Sequence, residues 1–322
     1  MKTKILFKTT AAVVTFAAFS SIAWADEPTP DCEFPGGAYY KATNTLRLES
    51  FNDDKANVEI NNEATQCVNS KTKEFKLIVV RNTALAANST IVIPANYKPT
   101  NDCIDLYEPV SFSTDENGEW TATAKHLMEQ GQPNRPMLMI TDTDRKECQD
   151  IKEIEFEAAN LNSTVQVIPS FQIYNEKTFR NDWSFEGTYS FIRWEKGHAD
   201  LGSVYGYAAK EKGKVTPGQF VQVGSNAYIP ALRAYLKYIG TSQPQNKALF
   251  KEAATSEDEA FELPKSINVR LVEDNGTTRL AKWNIVTGEI KKLNHWYDLK
   301  GRKFQNKPTN NSVFINNARA NH

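Results

Sequence analysis

The stretch ALRAYLKY, residues 231–238, carries the pattern that decides the fold. In an extended chain its side chains divide between two faces: Leu232, Ala234, Leu236 and Tyr238 on one, Arg233, Tyr235 and Lys237 on the other. Alternation with a period of two residues is typical of a β-strand. The stretch is therefore predicted to be a strand with one apolar face.

The same alternation recurs along the chain. It is found in EFKLIVVRN (74–82), STVQVIPSFQIY (163–174) and SINVRLVE (266–273). The repeating apolar residues are Phe75, Leu77 and Val79 in the first, Val165, Val167, Phe171 and Ile173 in the second, and Ile267, Val269 and Leu271 in the third. Pairs such as Pro217-Gly218 and Asn275-Gly276 mark turns between such runs. Many short strands divided by turns predict an all-β fold, specifically an antiparallel β-sandwich over residues 26–242.

Helical periodicity is scarce in the rest of the chain. The exception is NKALFKEAATSEDEAF (246–261), which fits either a short helix or a linker. Because Pro244 and Pro264 bracket this acidic stretch, residues 243–263 are predicted to form a linker. Residues 264–322 are then predicted to form a small C-terminal β unit.

The first 25 residues have the three parts of a secretory signal peptide. Lysines at positions 2, 4 and 8 precede the apolar run 11–19, and Ala23-Trp24-Ala25 gives a cleavage site of small-x-small type. The apolar run is shorter than the roughly 20 residues that a spanning helix needs. We therefore expect export, cleavage after Ala25, and no transmembrane segment in the mature chain.

Export changes the interpretation of the four cysteines, Cys32, Cys67, Cys103 and Cys148. Disulfides persist in exported proteins, and four cysteines allow three pairings. The nearest-neighbour pairing, Cys32–Cys67 with Cys103–Cys148, is favoured because it closes two separate loops. A zinc site is disfavoured because the sequence has no Cys-x-x-Cys pair and no histidine at ligand spacing beside a cysteine.

Composition and motifs give little support for catalysis. The net charge of −1 does not indicate nucleic-acid binding. There is no Gly-x-Ser-x-Gly elbow, phosphate-binding loop or His-Glu-x-x-His motif, and the histidines at 126, 198, 295 and 322 are scattered. The carboxylate clusters at 142 and 144 and at 153, 155 and 157 could serve glycosidase chemistry or calcium binding, but a solvated strand face explains them as well. We predict that the protein is not an enzyme and needs no cofactor or metal.

Carbohydrate binding is the alternative to a purely structural role. Sandwich proteins that bind glycans stack sugar rings on exposed aromatic side chains, and Trp120, Trp183 and Trp194 are the candidates here. Aromatic residues that alternate in strands are more often part of the core. Plant or surface polysaccharide therefore stays an alternative partner.

Four motifs in a fixed order carry a resemblance to a known module. They are FEGTY (185–189), YGYA (205–208), GQFVQVG (218–224) and IPALRAYL (229–236), preceded by STIVIPANYKPTNDCIDLYE (89–108). Together they resemble the all-β module that recurs near the C-terminus of large secreted and surface proteins of anaerobic gram-negative bacteria. The resemblance implies a secreted or cell-surface protein with a structural or adhesive role.

The C-terminal stretch belongs to the same resemblance. WYDLKGR (296–302), followed by NKP (306–308) and VFINN (313–317), is similar to the sorting domain that the type IX secretion system recognises. The resemblance implies that Tyr297, Asp298, Gly301 and Arg302 contact the export machinery. Physically, Gly301 permits a sharp reversal and Arg302 can bind a carboxylate or phosphate through two hydrogen bonds. An exposed last strand could be captured by β-augmentation.

Overall fold

A computed structural model describes the main body of the chain and short pieces of its C-terminal part. The described residues are 29–116, 118–127, 130–211, 215–240, 263–273, 281–283, 290–292, 296–298, 303–304 and 314–316. The predicted signal peptide, residues 1–25, lies outside them, as does nearly all of the predicted linker at 243–263.

The N-terminal strands form a six-stranded sheet. Its order from edge to edge is β1 (Cys32–Phe34), β2 (Gly37–Tyr40), β3 (Thr45–Glu49), β4 (Glu74–Val80), β10 (Glu153–Ala159) and β6 (Asn96–Pro99). Neighbouring strands are antiparallel except for the parallel pair β3 and β4. Parallel neighbours need a crossover connection rather than a tight turn. The crossover from β3 to β4 contains helix α1 (Asn62–Lys71).

The second sheet curls until it closes. Its closed part follows the order β11 (Ser170–Asn175), β12 (Arg180–Thr188), β17 (Arg233–Tyr238), β14 (Val204–Tyr207), β15 (Phe220–Gln222), β18 (Ser266–Val272), β8 (Trp120–His126) and β7 (Ile104–Thr114). A parallel pairing of β11 with β7 completes the ring of eight strands. Two further strands, β9 (Met137–Thr141) and β5 (Asn88–Ile91), extend from β7 outside the ring.

Strand β7 belongs to both parts of the second sheet. Its first residues pair with β9, and its later residues pair with β11 and β8. The register with β8 shifts between Pro109 and Ser111. Because proline has no N–H to donate to the ladder, a bulge at this position lets one long strand turn from one layer into the other.

Two hydrophobic cores result from this arrangement. One lies between the six-stranded sheet and the β5–β9 extension, and it contains Leu46, Leu77, Phe156, Met137 and Met139. The other fills the closed sheet and includes Trp183, which is fully buried among four aromatic rings. Leu138, which lies between Met137 and Met139 in strand β9, belongs to this second core. Strand β9 is therefore buried on both faces.

The all-β prediction is confirmed, whereas the arrangement differs from a simple antiparallel sandwich. Only the N-terminal half has two facing layers, and the second sheet closes on itself. Three strand pairs are parallel: β3–β4, β11–β7 and β18–β8. Strand β18, which lies in the segment predicted as a separate C-terminal unit, pairs with β15 and β8 inside the closed sheet.

Shorter strands form three small sheets. Strands β13 (Ile192–Trp194) and β16 (Ala227–Ile229) pair with each other, as do β19 (Ala281–Trp283) and β20 (Ile290–Lys292). In the C-terminal part, β21 (Trp296–Asp298) lies between β22 (Lys303–Phe304) and β23 (Phe314–Asn316). None of the helices that the structure describes has both the length and the hydropathy of a membrane span.

The predicted cysteine pairing is confirmed. Cys32 is bonded to Cys67 and Cys103 to Cys148. The first bridge ties strand β1 at the edge of its sheet to helix α1. The second ties the start of β7 to the loop between β9 and β10. Each bridge therefore fixes a segment at the border of a sheet.

Candidate functional site

An open groove of about 420 Å³ runs beside strand β12. It is lined by residues 58–59, 164–169 and 186–190, together with Ile192 and Tyr235. The floor is the end of strand β12, residues 186–188, and one wall is the irregular segment 163–169.

The wall segment 163–169 is anchored on both sides. Thr164 Oγ1 accepts from Ile60 N at 2.8 Å and donates to Val58 O at 2.9 Å, and Gly187 N donates to Pro169 O at 2.6 Å. Gln166 adopts a left-handed backbone with φ of 63°. The sequence prediction of a strand across residues 163–169 is therefore wrong, because these contacts divert the backbone, and β11 begins only at Ser170.

The anchored segment presents apolar side chains to solvent. Ile168 is 79% exposed and Val165 is 45% exposed. Apolar side chains held in an exposed position by a fixed backbone lose little conformational entropy when a partner covers them. The segment is therefore suited to contact another molecule.

The charged side chains along the groove are carboxylates. Glu59 is exposed at its rim, and Glu186 accepts a hydrogen bond of 2.8 Å from Tyr235 Oη. Burial, and secondarily the Glu186 charge, raise the pKa of Tyr235, so this hydroxyl stays a neutral donor. No lysine or arginine is among the residues that line the groove. Its electrostatic preference is consequently for a cationic group.

An aromatic and cationic cluster lies on the other side of strand β13. Phe191 and Tyr228 stack with ring centroids 5.4 Å apart, and the Arg193 guanidinium lies 5.5 and 5.6 Å from the two rings. Tyr228 is 49% exposed. Successive side chains of a strand point to opposite faces. Ile192 therefore lines the groove, whereas its neighbours Phe191 and Arg193 lie on the other side.

The three tryptophans predicted as glycan contacts are buried. Trp183 is 0% exposed, Trp194 2% and Trp120 6%. Trp120 and Trp183 belong to the core of the closed sheet, whereas Trp194 packs against Tyr235 in a small separate cluster. None of the three offers a ring face to solvent, and they do not form one surface.

The residues predicted for the sorting tail are only partly described. Tyr297 and Asp298 lie in strand β21, where their backbone partners in β23 are Ile315 and Phe314. Gly301 and Arg302 lie outside the described residues. The suggested contact with export machinery stays a prediction.

Two of the remaining carboxylate candidates form ion pairs. Glu153 and Glu155 form ion pairs with Arg47 and Lys76 at 2.9 and 2.8 Å, as expected for a solvated strand face. In the described part of the chain, no group of three or more histidine, cysteine, aspartate or glutamate side chains is arranged so that it could hold a metal ion.

His126 lies between two carboxylates that no local sequence pattern places beside it. Its Nε2 is 3.5 Å from Asp105 and its Nδ1 is 3.3 Å from Glu273. Tyr107 donates to the same Glu273 at 3.1 Å. Parallel pairing of β18 with β8 brings Glu273 to this position, and such pairing cannot be derived from local alternation. The cluster joins three strands.

Comparison with known proteins adds no family assignment. The chain matches no protein-family model, no curated protein and no solved structure. Its function is therefore argued from its own residues.

Proposed function

We propose that the protein is an exported, non-catalytic binding protein of the cell surface, with a structural or adhesive role. The observation that carries the proposal is the groove beside β12, where a fixed backbone exposes Ile168 and Val165 next to carboxylates. The two disulfides are compatible with an extracellular location. The signal-peptide pattern at residues 1–25 is the basis for export.

The chemistry of the groove favours one kind of partner. Apolar side chains on one wall favour an apolar segment, and Glu59 and Glu186 favour a basic side chain beside it. An extended polypeptide that carries a lysine or arginine between apolar residues meets both requirements. We propose such a segment, on a surface protein, as the occupant.

The C-terminal strands are proposed to direct export of the protein to the cell surface. Strand β23 lies at the edge of the small sheet formed by β21, β22 and β23. An edge strand leaves backbone donors and acceptors on one side for a receptor strand. This supports the role of a type IX sorting signal that the sequence resemblance implies.

The binding role is tested with one groove variant and one matched control. Ile168→Asp places a charge on the apolar wall, whereas Phe179→Asp changes a side chain of similar exposure, 77%, in the β11–β12 connection. Labelled mature protein is titrated onto native cells, and bound protein is measured by flow cytometry. We expect Ile168→Asp to weaken binding at least tenfold and Phe179→Asp to leave it unchanged. Equal loss in both variants would refute a role of the groove.

A carbohydrate-binding module for plant polysaccharide is the alternative function. The buried tryptophans do not favour it, but the exposed Tyr228, stacked on Phe191 and beside Arg193, is a suitable contact for a sugar ring. Affinity electrophoresis on cellulose and xylan distinguishes the alternatives. Retardation that Tyr228→Ala abolishes would support carbohydrate binding, and unretarded wild-type protein would remove it.

A further inference from the structure

A buried arginine, Arg81, and a half-buried one, Arg233, meet between the sheets. Arg81 follows the last residue of β4 and is only 2% exposed, and Arg233 opens β17. Arg81 Nη1 donates to Ser89 Oγ at 3.1 Å, and Arg233 Nη1 donates to the same oxygen. Ser89 itself is 6% exposed on strand β5. Two guanidinium groups thus converge on a single neutral hydroxyl.

Hydrogen bonds to the neighbouring backbone surround the arginine pair. Thr90 Oγ1 accepts from Ala234 N at 2.8 Å and donates to Ala234 O at 2.9 Å, which joins β5 to β17 beside the arginine pair. Arg81 N donates to Lys152 O at 2.8 Å, and its Nη2 lies 3.4 Å from Thr90 O. These contacts fix the backbone from which both arginine side chains extend.

Among the described residues, no carboxylate lies close enough to the pair to balance its positive charge. Neither Arg81 nor Arg233 forms an ion pair with a described carboxylate, whereas Arg47 and Arg135 have one such partner each and Arg145 has two. The Nε of Arg81 and the Nε of Arg233 are both buried without an acceptor in the described part of the chain. Buried charges are normally paired, because removing them from water is costly.

Both guanidinium groups remain cationic at neutral pH. Burial lowers the pKa of Arg233 to about 10. Burial first, and the Arg233 charge second, lower the pKa of Arg81. Arginine keeps its proton in proteins at any ordinary pH. A counterion therefore compensates the two positive charges more readily than the loss of a proton does.

We propose that the Arg81–Arg233 pair is a binding site for a single small inorganic anion of the halide class. The anion would accept from the two unpartnered Nε–H groups, while the Ser89 oxygen keeps accepting from the two Nη1 groups. A monatomic anion suits an enclosed position because it sheds its hydration more readily than a divalent oxyanion does. Its role is to lock strand β5 to strand β17. This site goes beyond the proposed surface function and does not depend on it.

The first test measures stability against chloride. Mature protein is unfolded by heat at constant ionic strength while sodium gluconate is replaced by sodium chloride. A site that binds only the folded chain lowers the ratio of unfolded to folded protein about 100-fold when chloride is about 100 times its dissociation constant. We expect a saturating rise in the unfolding temperature with chloride or bromide, and none with sulfate or phosphate.

Variants locate the effect. Arg233→Met should abolish the chloride dependence, and Arg47→Met, which removes an exposed arginine paired with Glu153, should keep it. An unchanged unfolding temperature for the wild type, a response to phosphate instead of chloride, or an equal response in Arg233→Met would each overturn the proposal.

A second measurement does not depend on the folding of a variant. Crystals of the wild-type protein are soaked in sodium bromide, and anomalous difference density is calculated. The expected result is one peak within hydrogen-bonding distance of the Nε atoms of Arg81 and Arg233. Density at surface lysines alone, with none between the two arginines, would show that the charges are compensated in another way and would refute the site.

Discussion

Removal of the disulfides should cost a large part of the stability of the protein. The bonded cysteines are separated by 35 residues in Cys32–Cys67 and by 45 residues in Cys103–Cys148. In the chain-entropy model, loops of these lengths are each worth about 4 kcal/mol. The two loops do not overlap along the sequence, so their contributions should add to about 8 kcal/mol.

This sum is comparable to the whole stability of a typical domain, about 5–15 kcal/mol. The fully reduced chain should therefore be marginal or unfolded at physiological temperature. That expectation links the fold to the compartment, because a reducing cytoplasm would not maintain the bridges. A protein of this construction is suited to an oxidising location.

The experiment uses paired replacements so that no free thiol remains. Cys32→Ala with Cys67→Ala removes one bridge, and Cys103→Ala with Cys148→Ala removes the other. Alanine is chosen because a serine hydroxyl at the buried Cys148 position would need a hydrogen-bond partner. Urea unfolding followed by tryptophan fluorescence gives the free energy of unfolding.

We expect each pair of replacements to lower the free energy of unfolding by about 4 kcal/mol. Dithiothreitol should destabilise the wild type. It should leave a variant that combines all four cysteine-to-alanine replacements unchanged. A loss below about 1 kcal/mol for each pair would refute the reasoning, since the bridges would then constrain the unfolded chain very little.

Three further predictions concern side chains buried in the two cores. Trp183→Ala should lower the free energy of unfolding by about 3–5 kcal/mol in urea unfolding, because four aromatic contacts are lost; a loss below about 1 kcal/mol would contradict this packing. Gly187→Ala should cost about 1–3 kcal/mol in the same assay, because its Cβ would lie 2.9 Å from Val92, whereas Gly224→Ala, with open space around it, should be neutral; equal effects would contradict the contact. Burial raises the pKa of Tyr39 above 10 and raises the pKa of five further tyrosines more strongly, so the stability present below pH 10 should fall as the pH rises beyond it. Circular dichroism and absorbance at about 295 nm measure this loss, and tyrosines that all ionise near pH 10 before unfolding would contradict it. These five are Tyr97, Tyr189, Tyr205, Tyr207 and Tyr235.

Local sequence patterns predict the strands well where one face is apolar. The alternation in ALRAYLKY matches strand β17, with Ala234, Leu236 and Tyr238 in the core of the closed sheet. The pattern cannot reveal that the opposite face is also covered, as it is at Tyr235, because that depends on a distant segment. The pairing of Arg233 with Arg81 also depends on a contact between distant segments, so local sequence patterns do not predict it.

Pairing between distant strands is the part that the sequence does not provide. Helix α1 was not predicted, although Asn61 accepts a hydrogen bond from Ala64 N as an N-cap residue. Only Ala64 and Val68 of this short helix are buried, so its apolar periodicity is weak. The parallel pairs and the closure of the second sheet depend on contacts far apart in sequence. For this reason the groove beside β12 could not be predicted either.

The most direct test of the account is the location and processing of the protein in its native cell. Fractions of the cytoplasm, periplasm, cell surface and medium are digested without reduction and analysed by mass spectrometry. We predict a mature chain that begins at Asp26, carries Cys32–Cys67 and Cys103–Cys148 as linked peptides, and is found at the cell surface or in the medium. A chain that keeps residues 1–25, with its cysteines reduced and recovered from the cytoplasm, would contradict the account.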